Sequence, residues 1–172
     1  KQLQDSALWL YDERVKLYGD EANVINRKGR VAWKYLHKRP NSEDDLYALY
    51  QNIYSKNENN MLILNSTYYF RTAITVFRQN KIDKPEILAL YSSMISFLDN
   101  QVIEQPQKAT LIEKNRTRIN KEFDKYVSLN CEEIQTFYQA NYTENPTIEE
   151  AKKINSLLVK KSCVSNDLFM ST

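Results

Sequence analysis

Only two glycines, Gly19 and Gly29, occur in 172 residues, beside four prolines. Tight β-hairpins need backbone at positive φ, which glycine supplies most readily. A chain so poor in both residues has little room for β-turns and is expected to be helical throughout. Its apolar residues recur at spacings of three and four, the helical period. The expected fold is all-α: antiparallel helix pairs stacked into one continuous domain over 1–172. A chain of this length suffices for one core, or for roughly four to five stacked helix pairs.

Breaks divide the chain into its helices. An amphipathic helix is expected over 3–18, with Leu3, Ala7, Leu10, Tyr11 and Tyr18 on one side and Gly19 as its C-cap. The next, over 21–38, carries Ile25, Gly29, Ala32, Trp33 and Leu36; Gly29 and Ala32 would let a neighbour approach closely. Pro40 closes this pair, and Ser42 opens a short helix with Leu46, Leu49, Tyr50 and Ile53. Residues 61–79 are apolar nearly all round, as a buried helix is; a strand over 61–70 is the alternative, because Thr and Tyr favour strands. Asp83-Lys-Pro-Glu86 is a helix start with cap, early proline and reciprocal glutamate. After Pro106 a long packing helix over 107–129 has its stripe at Ala109, Ile112, Arg116, Ile119, Phe123, Tyr126 and Val127.

The stretch from Asn130 to Cys163 reads as a helical hairpin. Asn130 is a good N-cap, and Glu132 and Glu133 suit the positive end of a helix dipole. Asn145-Pro146 breaks the chain, and Thr147 with Glu150 forms a second capping box. Cys131 and Cys163 stand where the outer ends of an antiparallel pair lie side by side. A disulfide there would stabilise by roughly 3–4 kcal/mol on the chain-entropy model. Two separately buried thiols are the alternative. Leu168-Phe169 then begins another helix, and the chain is expected to be the front of a longer protein.

Chemistry finds little footing. His37 is the only histidine, and it sits among Lys34, Lys38 and Arg39. No catalytic motif surrounds it, so no catalytic residue is assigned. Two isolated glycines form neither a P-loop nor a dinucleotide fingerprint, and no cofactor is expected. Two Cys and one distant His make no metal cage. The acidic pairs Asp44-Asp45, Glu132-Glu133 and Glu149-Glu150 lie in expected first turns, where the dipole accounts for them. The sequons at Asn65, Asn115 and Asn141 read as chance, since the first two fall inside expected helices.

One charged constellation is the partner-binding candidate. Arg27, Arg30, Lys34 and Lys38 form a single stripe along the second helix. It can grip acidic side chains or track phosphates; an ordinary solvated face is the bland reading. Tyr47, Tyr50 and Tyr54 could add aromatic contacts, or be core. The net charge of +2 argues for neither a nucleic-acid binder nor an acidic tail. No apolar run approaches the ~20 residues of a membrane span.

The offset from Ile134 to Leu168 matches the ~34-residue tetratricopeptide period. With Cys131-Glu132-Glu133, the Asn145-Pro146 turn and Cys163 ahead of Asp167-Leu168-Phe169, the chain over 130–172 resembles divergent tetratricopeptide-repeat proteins of bacterial cell envelopes. The resemblance implies an α-solenoid that binds another protein, with no enzyme activity and no cofactor. It also implies export to a periplasmic or outer-membrane-associated assembly, where a disulfide persists. The second reading is a cytoplasmic helical nucleic-acid-binding domain that works through the stripe from Arg27 to Lys38.

Overall fold

A computed structural model of the chain describes residues 2–19, 21–57, 60–134 and 136. Among the described residues six α-helices follow one another: α1 Gln2–Tyr18, α2 Glu21–Leu36, α3 Glu43–Asn57, α4 Ile63–Arg78, α5 Lys84–Glu104 and α6 Ala109–Tyr126. A single 3-10 turn, Pro106–Lys108, leads into α6, and a further helical turn opens at 131–134. No strand occurs among the described residues, so the fold is all-α and the strand alternative over 61–70 falls away. No helix among them is long and apolar enough to cross a membrane.

The helix ends follow local chemistry. Asp83 caps α5 by accepting the Glu86 amide at 2.8 Å, with proline in the first turn. Asn130 and Glu133 exchange bonds: the Glu133 amide donates to Asn130 Oδ1 at 2.8 Å and the Asn130 amide to Glu133 Oε2 at 3.0 Å. Gly19 leaves α1 at φ +70, and Asn80 leaves α4 at φ 57, both left-handed positions that these residue types tolerate. Ser42 stands at the start of α3, but its hydroxyl turns back to the Leu36 and Arg39 carbonyls, at 2.6 and 2.7 Å. It satisfies the end of α2 instead of capping α3.

Substantial contact between helices is confined to first and second neighbours in sequence. Each helix packs on the next, and α4 also packs on both α2 and α6, which joins the three into a layer with α4 in the middle. α4 is the centre: Phe70, Ala73, Ile74 and Val76 are buried, and α2, α3, α5 and α6 all touch it. Gly29 lets α2 meet α3 and α4 closely. A Cβ there would come within 2.6 Å of Ile53 Cδ1 and 3.1 Å of Asn65 Nδ2. Its carbonyl accepts the Tyr50 hydroxyl at 2.9 Å.

Polar side chains stitch the even-numbered layer from within. Asn65 donates to the Asn26 carbonyl and to Asn26 Oδ1, both at 2.7 Å, and Asn26 in turn bonds the Asn60 carbonyl and the Leu62 amide. Thr67 donates to Asn115 Oδ1 at 2.7 Å, and Asn115 donates to the Leu111 carbonyl. Asn65 and Asn115 are fully buried, so the folded chain presents neither sequon to solvent; Asn141 lies outside the described residues.

Three expected helix faces need correction. In α1, Leu8 and Val15 pack on the core, whereas Leu10 and Tyr18 are exposed. α1 packs on α2 alone among its substantial contacts, so a single seam is covered and Trp9, Leu10, Leu17 and Tyr18 face out. In α6 the buried stripe takes Asn115 in place of Arg116, whose guanidinium pairs with Asp99 at 2.6 Å. α2 ends at Leu36, so Lys38 lies beyond the helix that was to carry it.

Candidate binding groove on the even-numbered helices

A buried helix still has one edge left over. On α4 that edge carries Tyr68, Arg71, Thr75 and Arg78, spaced at three, four and three, so all four lie on one face. On α6 the same arithmetic aligns Arg118, Lys121, Glu122 and Lys125. Because α2, α4 and α6 form one layer, these edges meet Trp33 and His37 at the end of α2. Between them lies a cavity of about 450 Å³, and a second of about 400 Å³ shares Trp33, Arg71, Lys121 and Glu122 with it as walls.

The groove is cationic with aromatic walls. Among the described residues its lining holds Arg71, Arg78, Arg118, Lys121 and Lys125 against a single carboxylate, Glu122. Trp33 stacks on His37 at 4.8 Å and on Tyr68 at 4.6 Å, both nearly parallel. The Arg71 guanidinium sits 5.3 Å from the Trp33 ring centre and its Nε is 3.1 Å from Glu122 Oε1. Arg78 and Lys125 lie 4.6 and 4.8 Å from the Tyr126 ring. Cations held over ring faces are oriented without being neutralised. Arg118 and Lys121 have no acidic partner among the described residues. His37 Nδ1 donates to the Trp33 carbonyl at 2.5 Å.

Arg27, Arg30, Lys34 and Lys38 are all exposed, and none of them lines this groove. Arg30 borders a separate recess of about 200 Å³ with Met61, Gln101 and Lys108, and Lys34 lies 5.4 Å over the Tyr35 ring. Tyr50 is buried, and Tyr47 and Tyr54 pack on Tyr69, so these tyrosines are core. Burial pushes the Tyr47, Tyr50 and Tyr69 hydroxyls well above their ordinary range. The expected stripe was legible because it runs along one helix. The groove's basic residues also left a trace, Arg71 and Arg78 one heptad apart in an otherwise apolar segment, but their meeting with α6 is tertiary.

The remaining acidic and sulfur groups are occupied locally or lie elsewhere. Asp44 pairs with Lys81 at 2.6 Å and Glu133 with Lys84 at 2.7 Å. The Lys84 hydrogen bond, then the Asn130 amide, holds the Glu133 carboxyl below its ordinary range. Glu149-Glu150 lies outside the described residues. No three His, Cys, Asp or Glu side chains come together to hold a metal among the described residues. Cys131 is exposed at the start of the turn it opens; Cys163, the rest of the expected hairpin and the residues behind the 34-residue offset lie outside the described residues. No protein-family model, curated protein or solved structure matches the chain.

Proposed function

We propose that this chain is a non-enzymatic scaffold that binds an acidic segment of another protein in the groove across α2, α4 and α6. The observation that carries the reading is the charge imbalance on a preformed surface: among the described residues, five cations and one carboxylate surround a stacked tryptophan. Cations tethered over aromatic rings keep their geometry, which lowers the ordering cost of gripping carboxylates. Near-neighbour packing supports an α-solenoid of tetratricopeptide type, a fold whose stacked units expose extended binding surfaces. An exported, envelope-associated setting goes with it, and a Cys131–Cys163 bridge is part of that proposal. A mass spectrum of alkylated native protein with and without reductant tests it; two free thiols would remove the case for export.

The binding test is polarization of a labelled oligoglutamate peptide. Lys121→Glu with Lys125→Glu is expected to weaken binding at least about tenfold, since each reversal replaces attraction with repulsion. Arg27→Glu with Lys34→Glu is expected to change it far less. The opposite ranking would return the site to the α2 stripe. The same cations beside part-buried aromatic rings also favour single-stranded nucleic acid as a second reading, in a cytoplasmic setting. An oligothymidylate that binds more tightly than the peptide, with affinity falling steeply in salt, would select that reading.

A further inference from the structure

We infer that Glu122 is a built-in competitor for the partner, and that a carboxylate of the partner replaces it on Arg71. This deepens the acid-binding reading above and rests on it. Among the described residues Glu122 is the only acid in the groove lining, and it takes the central cation, the one lying over Trp33. Arg118 flanks that position on one side, Arg78 and Lys125 on the other, each without an acidic partner among the described residues.

An acidic segment lying along the groove therefore finds its outer cations available and its middle one taken. The internal pair is easily opened. The Arg71 and Glu122 side chains are 46% and 25% exposed, and ion pairs in such positions are weakly held. The closest approach of Arg71 to Glu122 is through Nε, whereas a guanidinium can give a carboxylate two parallel bonds. On displacement Glu122 has Arg118 and Lys125 on the same helix as neighbours, four residues before it and three after, so its charge is not stranded. Glu122 would thus set both the reversibility of binding and the preference for acidic segments strong enough to displace it.

A double-mutant cycle on the full chain tests this, with labelled oligoglutamate as the probe and thermal melts to confirm folding. Glu122→Gln is expected to tighten binding about three- to fivefold, the worth of a part-exposed ion pair. That gain should disappear when Arg71→Gln is added, because the freed cation is the source of it. A gain that survives in the double variant, equal to that in wild type, would reflect general charge alone and overturn the proposal. So would an unchanged affinity in Glu122→Gln while Lys121→Glu/Lys125→Glu still abolishes binding; that result leaves the groove assignment intact. Failure of all variants to bind oligoglutamate overturns the acid-binding reading beneath it, and tighter binding of oligothymidylate replaces the partner class.

Discussion

Two buried positions, Gly29 and Asn115, test how closely the even-numbered layer is fitted. Gly29→Ala gains about 1 kcal/mol of helix propensity. Against that, the new methyl would stand 2.6 Å from Ile53 Cδ1 and 3.1 Å from the bonded amide of Asn65. Overpacking costs about 1–3 kcal/mol, so a net loss of about 1 kcal/mol is expected in denaturant melts. Asn115→Leu should cost about 1–3 kcal/mol, because Thr67 is left buried without its acceptor. Adding Thr67→Val should recover part of that loss, since removing both polar partners is nearly neutral. If the double variant is no better than the single, the bond is not what Asn115 contributes. Both residues lie in runs that read as plain helix, and nothing in a linear pattern marks Asn115 as buried where Arg116 is not. That choice is made by α4, which presents Thr67 to one position and leaves the other beside Asp99.

At the scale of helices, ends are the most legible feature, because capping depends on residues within one turn. Asp83→Ala should cost about 1 kcal/mol, read as a lowered midpoint in urea. The Asn130–Glu133 exchange predicts a pH dependence of the same local kind. The Glu133 carboxyl is held below its ordinary value by Lys84 and the Asn130 amide. Its contribution is therefore complete above the usual carboxylate range and is lost as pH falls through the lowered folded value. A carbon-detected NMR titration should give Glu133 a midpoint below that of glutamate in an unstructured peptide. A midpoint at or above that reference would mean the cap does not persist in solution. Ser42 shows the limit of such reading. Its type and position are those of a cap, but the chain's turn after α2 brings the Leu36 and Arg39 carbonyls within closer reach.

Across the whole molecule, stability should be graded. α4 is enclosed by four helices, whereas the substantial packing of α1 is against α2 alone, aided by the ion pairs Lys28–Asp12 and Arg39–Asp5. Exposed pairs of this kind contribute about 0–1 kcal/mol each. Amide exchange should therefore open α1 at far lower free energy than α4, without global unfolding. Equal protection of the two would show a more cooperative unit than near-neighbour packing implies. The all-α fold, the buried character of residues 61–79 and most helix ends were determined by the sequence alone, because glycine content, apolar periodicity and caps act over a few residues. The stripe from Arg27 to Lys38 was equally visible, yet those side chains stay apart from the groove. Which basic residues share a site was decided only by the packing of α2, α4 and α6. Arg71, Arg78, Lys121 and Lys125 come from separate segments, and only the burial of α4 on all other sides leaves their edges facing one cavity.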